Sequence, residues 1–213
     1  MNPKIILCLA LVLGSVGGNC YAAIIFPKAP EGGRQIAYES VAKLRQANPS
    51  FLGGVRIEEL TIADPHQNYS ANPQDVTSGN LLSAAKPGSW RYPVMHGTNA
   101  MGVAELIADK KAEKGLKFVA FYPGPGAKIL VALRKAEQLP QIKEQDYEFR
   151  YLNLAPISFF AVWLHGKSDD IIIPLPPTYG TWNDYQPYSE SQMIKLLKPE
   201  AKKKLKEPAG TID

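Results

Sequence analysis

The stretch Phe159–Pro177, FFAVWLHGKSDDIIIPLPP, decides how this chain folds. Alternate residues of Ile157–His165 fall into two sets, Ile157, Phe159, Ala161 and Trp163 against Phe160, Val162 and Leu164. Both sets are apolar, which predicts a central strand covered on both faces, with a helix as one cover. A second β-branched run, Ile171–Leu175, follows at once. Between them lies His165-Gly166-Lys167-Ser168-Asp169-Asp170, whose His, Ser and Asp side chains invite a catalytic reading. Gly, Ser and Asp are also turn formers, because they tolerate unusual dihedrals or bond their own backbone. A Ser-His-Asp triad is a spatial arrangement and is not recognised by sequence neighbours. The nucleophile-elbow pattern G-x-S-x-G is absent from the chain. The segment is read as a hairpin turn, with His165 and Asp169 kept as catalytic candidates.

Working outward, Tyr147–Leu154 is a further strand, separated by Ala155-Pro156. Gly102–Ile107 and Leu116–Tyr122 flank the charged link Ala108–Gly115 and predict another hairpin, and Trp90–Met95 a strand before it. Arg34–Ala47 reads as an amphipathic helix ended by Asn48-Pro49. Val55–Ile62 carries a weak strand alternation, whereas Ala63–Gly88 is polar and Pro/Gly-rich and reads as irregular. Ala127–Leu139 has helix-forming composition. Ser189-Glu190-Ser191-Gln192 is a capping-box pattern opening a helix to Lys198, with Pro199 placed to start a second short helix. Strands joined by short links, with helices before, between and after them, predict an α+β fold: a single domain, its mainly antiparallel sheet covered by helices.

The N-terminus, MNPKIILCLALVLGSVGGNCYAA, has the form of a secretory signal. Lys4 gives the positive start, Ile5–Leu13 the apolar run, and small residues precede an expected cleavage after Ala22. The run is shorter than the ~20 residues of a bilayer span. Gly17 and Asn19 before Cys20 fit a lipoprotein signal poorly. The expected organisation is therefore signal peptide 1–22, extended lead-in 23–33, α+β domain 34–188 and basic helical segment 189–213. Cys8 and Cys20 both fall in the signal, so the mature chain would hold no thiol. A Cys-free exported chain of this size fits a bacterial periplasm or culture medium, with no transmembrane segment after cleavage. The 24 Lys+Arg and 20 Asp+Glu give a net charge of +4, too mild to indicate a nucleic-acid partner.

Candidate sites follow from residue chemistry. Gly124, Gly126 and Lys128 combine a turn with a helix start, a layout that can hold an anion on backbone N–H groups, although the Walker spacing is missing. His66, His96 and His165 are the three possible imidazole metal ligands, but none pairs at helix spacing. Trp90, Tyr92, Tyr179, Trp182, Tyr185 and Tyr188 form an aromatic set suited to recognition or to lidding the core. Lys195, Lys198, Lys202, Lys203, Lys204 and Lys206 make a basic helical face that could meet an anionic surface. The reading is a binding domain without cofactor or catalysis, serving an envelope or secreted protein or a small ligand. The alternative is a small or metal-dependent hydrolase using His96 or His165 with a carboxylate.

Overall fold

Residues 23–112 and 114–207 are described by a computed structural model. The expected signal sequence lies outside the described residues. One mixed sheet of nine strands organises the molecule. In chain order the elements are β1 (Ile24–Ile25), α1 (Gly33–Ala47), β2 (Leu60–Ile62), β3 (His66–Ser70), α2 (Pro73–Ser78), α3 (Leu81–Ala84), β4 (Lys86–His96), β5 (Asn99–Ala108) and β6 (Leu116–Pro123). Then come α4 (Pro125–Ala136), β7 (Tyr147–Leu154), β8 (Phe159–His165), β9 (Asp170–Pro174) and α5 (Glu190–Lys206). The strand order is β6-β5-β4-β3-β7-β8-β9, with β1 added to β7 and β2 to β4. All pairings are antiparallel except β1 and β3 with β7. The fold is therefore α+β with a mostly antiparallel sheet, as the sequence predicts.

The two-sided strand is where the sequence puts it. Phe159, Ala161 and Trp163 of β8 pack with Val76 of α2, Leu81 and Leu82 of α3, and Met193, Leu197 and Ala201 of α5. Val162 and Leu164 pack on the opposite side with Ile129, Ala132 and Ala136 of α4. The first face continues across the sheet, where Ala37 and Val41 of α1 cover Tyr92 and Val94 of β4 and Ala104 and Leu106 of β5. Thus α1 and α5 share the first face, and α4 lies on the second.

Three expectations need correction. The stretch read as irregular is ordered: it contains β3, α2 and α3. His-Gln-Asn-Tyr-Ser has no apolar alternation, so its strand state comes from hydrogen bonding between β4 and β7, a tertiary override of local pattern. Val55–Ile62 is strand only over Leu60–Ile62, preceded by short 3-10 turns. The C-terminal helix does not stop at Lys198: α5 runs through Pro199. Met193, Leu197 and Ala201 form one buried stripe that spans the proline, whose own position is exposed, so packing offsets the lost backbone bond. The capping box is present, with Gln192 N–H donating to Ser189 Oγ at 3.3 Å and Ser189 N–H to Gln192 Oε1 at 2.9 Å.

Close approach of α1 to the sheet depends on Gly33. A Cβ there would stand 1.8 Å from Tyr92 Oη and 2.5 Å from its Cζ. Gly33→Ala should therefore cost about 1–3 kcal/mol through overpacking. A lower urea midpoint at unchanged slope would register it; an unaltered midpoint would contradict this packing.

Candidate functional site

The hairpin between β8 and β9 answers the catalytic question first. Gly166 N–H donates to Asp169 O at 3.1 Å, closing the turn. Gln145, arriving just before β7, staples it from outside. Its Oε1 accepts from Lys167 N–H at 3.0 Å and Ser168 N–H at 3.3 Å, and its Nε2 donates to Ser168 Oγ at 2.8 Å. Ser168 in turn donates to Asp169 Oδ1 at 3.3 Å, and Tyr147 Oη donates to the same oxygen at 2.7 Å. Burial, then that carboxylate, pushes the Tyr147 phenol up to about 12. Ser168 and Asp169 are therefore committed to the turn.

His165 finds a different carboxylate. Its Nδ1 lies 2.8 Å from Asp170 Oδ1, which also accepts from Trp163 Nε1 at 2.7 Å. An imidazole oriented by a carboxylate, itself oriented by an indole, is the supporting half of a general-base arrangement. The pair stands at the turn end of the hairpin, with the His165 side chain 42% exposed. On the same face Arg150 lies between the rings of Tyr69 and Trp163, 4.7 and 4.6 Å from their centroids, and its Nε donates to Glu148 at 2.6 Å. Arg150 and Glu148 thus neutralise each other.

The other candidates disperse. His96 Nε2 faces Glu59 at 3.6 Å, while Glu59 is held below the usual carboxylate range chiefly by its hydrogen bond from Arg56. His66 is buried in β3. Among the described residues no three His, Cys, Asp or Glu side chains converge as a metal would require. Gly124 begins α4 with φ of 93°, and Gly126 lets the helix approach β5, since a Cβ there would meet that of Ala100 at 2.9 Å. Both glycines, with half-buried Lys128 beside them, are explained by this docking of α4. Of the aromatic set, Tyr92 is wholly buried under α1 and belongs to the core. Trp182 closes the core edge-on against Phe159 at 5.3 Å. Tyr185 packs on the α4 side beneath Lys135, and Tyr188 bonds its backbone to Ile172. Trp90 is half-buried, which leaves Tyr179, 66% exposed, as the freely presented ring. In α5 the lysines of the last turns are exposed while Met193, Leu197 and Ala201 are buried.

The most unusual chemistry lies on the second face. Ser89 and Arg91 alternate with Trp90, Tyr92 and Val94 along β4 and so point away from α1. Register sets Arg91 opposite Glu105 of β5 on one side and His66 of β3 on the other. The next row holds Ser89, Asn68 and Tyr151, with Asn153 two residues further along β7. Arg91 and Glu105 approach to 3.4 Å with side chains only 9% and 11% exposed. Ser89 donates to the same carboxylate, Asn68 Nδ2 donates to Ser89 Oγ at 3.3 Å, and the Arg91 guanidinium stacks 4.1 Å from the Tyr151 centroid. Among the described residues six buried side-chain N or O atoms lack a partner, and five are here: both His66 nitrogens, Asn68 Oδ1, Arg91 Nε and Asn153 Oδ1.

Comparison of the chain with models of protein families, with curated protein sequences and with solved structures gives no match in any of the three.

Two measurements test this geometry. Gln145→Ala should cost about 1–2 kcal/mol, since it strands several turn groups, whereas Ser168→Ala should stay within about 0.5 kcal/mol; equal losses would contradict the staple. His66, its ring tilted 4.5 Å from that of Phe149, is lowered from 6.5 to about 3 by burial and then by the Arg91 charge. The unfolded chain therefore takes up a proton near pH 6.5 that the native chain refuses until about pH 3. Stability conferred by neutral His66 is present above the higher value and drains as pH falls between the two. From pH 6 to 4 the loss from this residue should be roughly 2–3 kcal/mol. His66→Phe should remove that part of the slope in urea titrations; an unchanged slope would refute it.

Proposed function

We propose that the chain is a non-catalytic ligand-binding domain, exported to a bacterial periplasm or medium, whose binding site is the polar strip Glu105–Arg91–His66 with Ser89, Asn68, Tyr151 and Asn153. The single observation that supports this is the gathering of five unpartnered buried polar atoms on one face of adjacent strands. Each such group costs roughly 1–3 kcal/mol when left unmade. Five together would rival the roughly 5–15 kcal/mol net stability of a whole domain. Hydrogen-bonding partners from outside the chain are expected to offset that cost. The strip is also rigid, because it stands on strands and not on loops, and its Arg91 is fixed by Tyr151 and Glu105. Tyr122, 41% exposed on the edge strand β6, lies 5.5 Å from the Arg91 guanidinium and marks the side from which a ligand would arrive.

A second reading has its own observation. The His165–Asp170 pair, with Trp163 behind it, is the His–carboxylate contact that a small hydrolase would use to activate water. Against it stands the engagement of Ser168 by Gln145 and Asp169, which leaves His165 without a partner nucleophile in the turn.

Thermal shift of the purified chain against a panel of neutral sugars, amino acids, carboxylic acids and phosphates separates the two. A ligand at one hundred times its Kd should stabilise by about 2.7 kcal/mol. That stabilisation should vanish in Arg91→Met or Glu105→Gln and persist in His165→Ala. A stabiliser lost in His165→Ala but retained in the Arg91 and Glu105 variants would overturn the assignment. Turnover of p-nitrophenyl esters or phosphates, abolished by His165→Ala, would establish the hydrolase instead.

A further inference from the structure

We infer that the outer face of α5 docks on the surface of an anionic lipid bilayer. The helix separates its charges by side. Met193, Leu197 and Ala201 are buried against the rest of the fold. Helix geometry puts Lys195, Lys198, Lys202 and Lys206 in one row on the side turned away from them. Lys195, Lys202 and Lys206 are exposed and Lys198 is half-buried. At the rise of an α-helix the row is about 16 Å long. No Asp or Glu stands three or four residues from any of the four lysines, and each has another of the four at that spacing instead. Like charges so placed destabilise a helix. Attraction to the helix dipole is confined to the last turn, so it accounts for Lys206 but not for Lys195 or Lys198.

The neighbouring lysines are treated differently. Lys203 and Lys204 share a small crevice with Glu200, Glu207, Pro156 and Ile157, and Lys204 Nζ lies 2.6 Å from Glu207 Oε2. Two cations there meet two anions. Among the described residues no carboxylate comes within ion-pair distance of the four lysines of the row. An uncompensated row of cations is complementary to an extended anionic partner.

Apolar features beside the row decide which partner. An open depression of about 260 Å³ is lined by Lys195, Gln192, Leu196 and Tyr188. Leu205, 41% exposed, stands near the other end of the row. A hydrophilic polyanion would meet the lysines and leave these carbon surfaces in water. A bilayer presents phosphates to the lysines and, just beneath them, glycerol and acyl carbon to the Leu196 and Tyr188 walls. Tyrosine is at home at headgroup level. Contact stays at the surface, because the main apolar stripe of α5 is already used in the core. Among the described residues no helix is long and apolar enough to cross a membrane.

The test is sedimentation of the full chain with vesicles of phosphatidylcholine alone, or of equal parts phosphatidylcholine and phosphatidylglycerol. The neutral vesicles measure whatever the apolar run Ile5–Leu13 contributes. Binding to the mixed vesicles should be at least about tenfold tighter, and should drop to the neutral level in ~0.5 M NaCl. Each Lys→Gln change in the row should weaken it about fivefold, and the quadruple variant should bind both vesicles alike. Lys110→Gln with Lys111→Gln, exposed between β5 and β6, alters charge elsewhere and should leave binding unchanged. Far-UV circular dichroism checks that α5 stays folded in the variants. Equal weakening by the Lys110 and Lys111 changes would reduce the effect to net charge and overturn the site. Absence of any preference for mixed vesicles would overturn it too. Binding of heparin or polyphosphate through the row, with none to mixed vesicles, would assign it to a soluble polyanion and overturn the lipid.

Discussion

Strand β8 cannot leave either of its faces in water, and most of the architecture follows from that. Phe159, Ala161 and Trp163 look one way, Val162 and Leu164 the other, and all five are buried. Each large side chain so buried stabilises the fold by about 1.5–3 kcal/mol, so two layers of helix are required, one per face. The chain supplies them from different places: α4 precedes β8, and α5 follows it. To reach the first face after β9, the chain must cross the end of the sheet. The segment Pro174–Tyr188 makes that crossing, with Trp182 sealing one core against Phe159 and Tyr185 joining the other. Apart from exposed Tyr179, its aromatic residues are thus accounted for by closure of the core.

The parts of the fold that were legible in the sequence are those in which burial follows local periodicity. The β8–β9 and β5–β6 hairpins, β7, α1 and α4 have their apolar residues at strand or helix spacing, and their turns hold Gly, Asp or Pro. β3 was not legible for the opposite reason. His66, Gln67, Asn68, Tyr69 and Ser70 carry no pattern, and only the neighbouring strands make them extended. Pro199 misled because a proline is a local signal, whereas the stripe through Leu197 and Ala201 is a tertiary one.

The same distinction explains the sites. Ser, His and Asp in one turn attract notice because they adjoin in sequence, yet the turn uses Ser168 and Asp169 for its own hydrogen bonds and leaves His165 to Asp170. Arg91 and Glu105 sit in strands where an alternating polar residue ordinarily faces solvent. Nothing in either segment says that β4 and β5 will pair them, or that β3 will bring His66 alongside. Of these residues only His66 is a candidate in the sequence, and as a metal ligand. Register is the missing information, and in a sheet it belongs to pairs of segments far apart in sequence.

A buried ion pair is weak support for stability, since the cost of taking two charges out of water is commonly as large as their attraction. Replacing Arg91 and Glu105 by apolar residues would, on energetic grounds alone, suit a sheet face that already holds Phe149, Leu164 and Ile171 in its continuation. The polar groups are also not scattered as isolated accidents would be. Ser89 bonds Glu105, Asn68 bonds Ser89, and Tyr151 lies under Arg91, so each orients the next. The arrangement costs folding energy, holds its members in fixed directions and still leaves buried donors and acceptors unmatched. The His165–Asp170 pair lacks this property. It is half-exposed, so its remaining polar atoms can meet water, and Asp170 Oδ1 is shared by His165 and Trp163 within the hairpin that bears it.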